Sequence, residues 1–372
     1  MNHGPPPLLQ LGFRPFFLLA GAAALALLGA WLAWLYLPAT LPDSRWHGHE
    51  MLTGYTGAVM AGFLLTAARN WTGRDTARGA ALAALVLLWL AGRWGAAAAA
   101  GPWTAAADGA FFLGLAVFTG RPVLAARQRH NLVFPALLLL MGAADAGYHA
   151  GGGPAALQAL LWLILTLLSV LAGRVLPFFT ARALPGAPER RRPLLEAAGS
   201  GLLAALALAA ALGAPAVVQA ALAALALIPN AWRAASWFDR RIREVPLLWV
   251  LHLAFGWLLV GLLLAALRPL WPALADAATH ALTTGAIGGM TLGMMARVSL
   301  GHTGRPLVPP PGIPWAFALV HLGALARVLA GTGLWPQGGL VLAGACWLAA
   351  FGLFLWRYAP MLVAPRADGR PG

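Results

Sequence analysis

Twelve apolar runs of spanning length, with centres near residues 27, 59, 89, 114, 139, 166, 203, 226, 257, 289, 322 and 347, leave this chain few ways to fold. A bilayer core takes about 20 apolar residues as a helix, and its backbone groups must bond one another because no water reaches them. The runs predict an all-α polytopic membrane protein. It would be a bundle of about 12 transmembrane helices, forming a single transmembrane helical domain over residues 1–372. Composition agrees, with 60% hydrophobic residues, 10% charged residues and a mean hydropathy of +0.76. The first run, residues 16–37, is longer than the apolar core of a signal peptide and reads as a retained span. The polar segment 182–193, which holds Arg190, Arg191 and Arg192, divides the runs six and six.

Charge placement orients the spans. All 25 basic residues are arginines, and 21 of them lie at the termini or in the loops after even-numbered runs. Only Arg45, Arg93, Arg268 and Arg327 fall in the other loops. The positive-inside rule then makes both termini cytoplasmic. Asp43, Glu50, Asp108, Asp145 and Asp276 lie toward the outer face, so the formal charge of +14 reports topology and not nucleic-acid binding. Without lysine, Schiff-base chemistry is excluded. Cys346 is the sole cysteine, so neither an intrachain disulfide nor a cysteine-rich metal site can form. T-G-R recurs at Thr72–Arg74, Thr119–Arg121 and Thr303–Arg305, as glycine helix caps followed by an arginine at the lipid surface.

Histidine carries the chemical signal, because ionisable groups at membrane depth are costly. His280 and His302 bracket one run, about 33 Å apart as an α-helix, too far to share a metal. An α-helical wheel puts His280, Thr284, Thr291 and His302 on one face, with Gly285, Gly289 and Gly293 elsewhere as a strip for close packing or a flat cofactor. Toward the outer face, W-H-G-H-E at Trp46–Glu50 offers His47 and His49, aimed together if Gly48 lets the backbone leave the helix. With His149 and His280 they form a candidate metal group, and Glu50 would orient a ring from behind. Helix capping at the interface is the alternative for each of them. Toward the inner face lie His252 and His302 as candidate cofactor-binding residues. There too, Arg174 and Arg297 could pair with acidic groups or reach lipid phosphate. His321 reads as hydrogen-bonded within the bundle, His130 as a loop residue, His3 as a solvated tail residue, and Met290 and Met294 as packing.

Several segments together resemble the NnrS family: W-H-G-H-E-M at Trp46–Met51, G-F-L-L-T and N-W-T-G within Gly62–Gly73, G-R-V-L-P-F-F-T at Gly173–Thr180, H-A-L-T-T-G-A-I-G-G-M-T at His280–Thr291, R-V-S-L-G-H-T-G-R at Arg297–Arg305 and P-R-A-D-G at Pro365–Gly369. The resemblance implies a bacterial inner-membrane protein carrying haem and copper, linked to nitric oxide response and nitrosative stress, with His47, His49, His252, His280 and His302 among its histidines. The expected function is protection against nitric oxide by binding it or turning it over as an oxidoreductase, with a membrane electron donor as a further partner. The alternatives are a transporter of haem or metal, and a non-enzymatic metal-bearing sensor or assembly partner. The six-span halves show no clear repeat of one another, which weakens the transporter reading.

Overall fold

A computed structural model describes residues 5–36, 44–97 and 101–370 of the chain. His3 and Asp43 lie outside the described residues. Every regular element is helical. In chain order these are α1 (Phe13–Tyr36), α2 (Ser44–His49), a π-helical stretch (Glu50–Thr56), α3 (Gly57–Thr72), α4 (Ala80–Ala97), α5 (Gly101–Ala125) and α6 (Val133–Gly147). A second π-helical stretch (Tyr148–Gly152) leads to α7 (Gly153–Ala183), followed by α8 (Pro193–Ala211), α9 (Ala216–Trp237), α10 (Pro246–Leu267) and α11 (Leu274–His280). The third π-helical stretch (Ala281–Gly288) precedes α12 (Gly289–His302), α13 (Ile313–Gly331) and α14 (Pro336–Val363).

Ten stretches among the described residues are long and apolar enough to cross a membrane, so the chain is a multi-pass membrane protein. The ten and the twelve expected runs differ at two places. The 55-residue stretch Arg129–Ala183 counts once, although its backbone breaks at Gly151, where φ is 94°. Residues 274–302 are divided by the third π stretch, and neither flanking helix reaches spanning length alone. Lipid-facing character shows in exposed Leu87, Leu113, Leu139, Leu208 and Ile228 along the helices. Trp94 and Trp103, 78% and 77% exposed, stand near helix ends, as do Trp315 and Trp335. Indole rings favour the headgroup level.

The chain packs as two compact units. The first comprises residues 1–160, 295–308 and 354–372. Its core is aromatic: Phe16 of α1 meets Phe111 of α5 at 6.0 Å, and Trp71 of α3 stacks on Phe134 of α6 at 4.9 Å. Gly62 lets the Phe17 ring close onto α3. Gly73 (φ 65°) and Gly304 (φ 72°) end α3 and α12 in the left-handed conformation that glycine adopts freely. The third T-G-R differs. Thr119–Arg121 lies inside α5, where Gly120 admits Pro135 of α6.

The second unit comprises residues 161–294 and 309–353. The glycine strip of the His280–His302 segment is filled by neighbouring helices. A Cβ on Gly285 would meet Trp257, on Gly288 Trp347, on Gly289 His321 and Ala254, and on Gly293 Leu251 and Val250. This is helix-to-helix packing through small residues. The shared face expected for His280 and His302 presumes an unbroken α-helix, and the segment is π-helical over Ala281–Gly288.

Gly289→Ala should therefore cost about 1–3 kcal/mol through overpacking. Gly256→Ala on α10, where an added Cβ meets nothing within 4 Å, should gain about 0.5–1 kcal/mol from helix propensity. Thermal unfolding in detergent checks both, and equal midpoints for the two variants would contradict the packing account.

Candidate metal centre

The W-H-G-H-E segment does not leave the helix at Gly48. Residues Ser44–His49 are α-helical, and two residues along a helix differ by about 200°. The two rings therefore part. His47 stacks on Trp31 of α1 at 4.7 Å, while His49 turns inward and is buried. Beyond His49 the helix widens into the first π stretch, helped by hydroxyls that take backbone carbonyls. Thr53 Oγ1 donates to the His49 carbonyl at 2.7 Å, and Thr56 Oγ1 to the Met51 carbonyl at 2.8 Å.

Four side chains from three parts of the first unit converge on one place. His49 ends α2, Asp108 comes from α5, Asp145 from the end of α6, and His149 from the second π stretch. One ligand atom from each lies within 4.8 Å of the others. His49 Nε2 is 2.8 Å from Asp145 Oδ1 and 3.8 Å from Asp108 Oδ2. His149 Nε2 is 3.7 Å from Asp145 Oδ2 and 3.9 Å from Asp108 Oδ2. The two imidazoles meet edge to face at 5.0 Å, and Tyr148 covers one face of His49 at 4.6 Å.

A second layer holds this group. His49 Nδ1 faces Glu50 Oε1 at 3.0 Å, and Glu50 Oε2 pairs with Arg93 Nε of α4 at 2.6 Å. Arg93 Nη2 also donates to both carboxylate oxygens of Asp108, at 2.9 and 2.8 Å. Two of the three buried carboxylates thus share one guanidinium, and Asp145 is left to the imidazoles. With neutral imidazoles, two negative charges stay uncompensated in a medium where isolated charge is costly. Among the described residues, His149 Nε2 and Asp145 Oδ2 are buried without a hydrogen-bond partner. A bound cation would satisfy both atoms and both charges, and this His/Asp group could hold a metal ion.

The other candidates are dispersed. His280 lies in the second unit outside this group, with Nδ1 3.2 Å from Asp276 Oδ1, and Asp276 is gripped by Arg327 at 2.7 and 3.0 Å. His252 hydrogen-bonds Thr180 at 3.0 Å, and His321 packs against Gly289. His302 in the first unit faces Asn70 at 3.2 Å and Phe13 at 5.6 Å, while its carbonyl accepts from Arg366. Arg366 in turn holds Asp368, beyond α14, at a pKa of about 2 through its guanidinium hydrogen bonds. Arg297 is buried and Arg174 half-buried, on α12 and α7.

Sequence reasoning treated Arg93 as a topological residue and gave Tyr148 no role. Arg93 did carry a signal, as one of only four arginines set against the positive-inside pattern. A second of the four, Arg327, also grips a carboxylate that holds a histidine.

Gly151, at φ 94° two residues after His149, makes the kink between α6 and α7. Gly151→Ala should cost about 1–2 kcal/mol because an L side chain strains that backbone region. The melting point in detergent measures this, and an unchanged value would mean the corner bends differently.

A sequence model of the family described as NnrS protein matches residues 7–366, nearly the whole chain. No curated protein matches it.

Proposed function

This chain belongs to the NnrS family, and we propose on that premise that it acts in the nitric oxide response by holding a divalent transition metal between His49, Asp108, Asp145 and His149. The observation that carries the reading is the buried group itself, in which two imidazoles and two carboxylates each bring a ligand atom within 4.8 Å of the others, with His149 Nε2 and Asp145 Oδ2 lacking a hydrogen-bond partner. Two imidazoles and two carboxylates suit Cu(II), Fe(II) or Zn(II) better than the soft Cu(I) ion. Copper in its divalent state therefore fits. A haem finds no such fit where the sequence suggested one. The glycine strip is filled by side chains, and Nε2 of both His252 and His302 is already hydrogen-bonded.

A metal held here would give nitric oxide an inner-sphere binding position and, if redox-active, a route for an electron from a membrane donor. The protein's own groups do the rest. Glu50 faces His49 Nδ1 and Asp145 faces Nε2, so the ring is oriented from both sides. Tyr148 shields the imidazole face. Nitric oxide, small and apolar, reaches the group through lipid. In this reading the chain sits in a bacterial inner membrane with twelve crossings and cytoplasmic termini, and His47 takes no part in ligation.

Metal analysis of purified protein from metal-replete cells, with absorption and paramagnetic spectra before and after nitric oxide, tests the assignment. About one metal per chain is expected, lost in His49→Ala and His149→Ala and kept in His47→Ala. Metal retained by both ligand variants would overturn it. Orientation is tested separately by reporters fused after residues 187 and 270. The first should be active only as a cytoplasmic reporter and the second only as an exported one, and the reverse pattern would invert the topology.

A further inference from the structure

We propose that Arg93 is the positioning residue of the metal centre, a single guanidinium that fixes the carboxylate behind one imidazole and the carboxylate beside both. The proposal rests on the metal-binding reading above. Arg93 Nε reaches Glu50 Oε2 at 2.6 Å, and Glu50 Oε1 continues to His49 Nδ1 at 3.0 Å. On its other edge Nη2 takes both oxygens of Asp108, one of which, Oδ2, stands between His49 Nε2 and His149 Nε2 at 3.8 and 3.9 Å. Every rotation of the guanidinium plane therefore moves a candidate ligand oxygen and the carboxylate that orients the His49 ring. Lysine, a single ammonium with no planar fork, cannot reproduce the spacing between Nε and Nη2 that sets these two carboxylates.

The surroundings are shaped for this side chain. Trp89, one turn earlier on α4, lies 5.7 Å from the guanidinium carbon, and its Nε1 donates to the Gly54 carbonyl at 3.0 Å. Gly54 itself makes room. A Cβ there would stand 3.0 Å from Arg93 Cδ and 3.4 Å from Nε. Gly92, the residue before Arg93, is pressed against the Asp108 carboxylate, where any Cβ would collide. Two glycines on two elements thus leave space for one ion-pair network. Had Arg93 been a lipid-seeking arginine, its head would reach the headgroups. Instead its side chain is only 10% exposed and is turned to carboxylates.

Apo-protein titrated with Co2+ provides the test, because cobalt ligand-field bands report coordination geometry per bound ion, whatever fraction of a variant folds. Wild type should bind one Co2+ per chain, with bands abolished in His49→Ala. Arg93→Lys keeps the charge and Arg93→Gln removes it. Both should shift the bands and weaken binding about 10–100-fold, the range for residues that orient ligands from the second layer. A structural role alone would lower the melting point of the apo-protein and leave the bands per bound Co2+ unchanged, and that result would overturn the proposal. If Arg93→Lys binds with wild-type affinity and spectrum, it also fails, while the metal centre stands. If wild type shows no cobalt bands sensitive to His49, the metal-binding reading fails and takes this proposal with it.

Discussion

The strongest constraint on the first unit is the cost of holding ionised groups away from water inside a bilayer. Glu50, Asp108 and Asp145 are each at most about 1% exposed, and one unpaired carboxylate in such a place would be ruinous to stability. Arg93 compensates part of that charge and, by its fork geometry, dictates where two of the three carboxylates sit. The rest of the unit follows from this requirement. Glycines at 54 and 92 clear the way, the π stretch after His49 re-aims the backbone, and the corner at Gly151 returns His149 to the group.

Burial of this kind does not maximise stability, since an apolar core of equal volume would hold three helices together more cheaply. Retaining an incompletely neutralised polar group therefore points to use. The donor chemistry is of the kind that could hold a cation, because the atoms without a hydrogen-bond partner include a ring nitrogen and a carboxylate oxygen 3.7 Å apart. The structured backbone supports the same conclusion. π-helical turns disrupt the regular bonding ladder and are found mostly at functional places. All three among the described residues adjoin or contain a histidine, His49, His149 or His280.

The fold was legible where physics is coarse. Spanning runs and arginine asymmetry are written into composition along the chain, and they survive errors of several residues in any boundary. At the site, the sequence pointed to the outer histidines and acids as a set, but it could not say which would meet. His47 and His49 look equivalent as letters and differ by about 200° once Gly48 turns out helical. His280 and His302 look like the two ends of one α-helix, but a π stretch over Ala281–Gly288 interrupts it, and the two residues belong to different compact units. Arg93 was hidden for another reason. Arginine in a membrane protein is read first as a topology marker, and only the position of its head, found in three dimensions, separates a marker from a counter-ion.

The second unit repeats the chemical logic without the cluster. Arg327 grips Asp276 with both ends of its fork, Asp276 faces His280 Nδ1, and the helix widens directly afterward. Arginine, carboxylate and imidazole recur in the order Arg93, Glu50, His49, again just before a π stretch. Two histidines thus each present Nδ1 to an anion that is itself held by a guanidinium. The difference lies in exposure: Asp276 is 50% exposed, whereas Glu50 is fully enclosed. Screening by solvent makes the Arg327–Asp276 pair weak as a stabiliser, so its value is directional. The buried version does both, holding the ring and supplying the charge that a cation would meet. It follows that what sets the first unit apart is the enclosure of Asp108 and Asp145 around the relay, the group that could hold a metal ion, since among the described residues the relay alone also occurs where no such group is assembled.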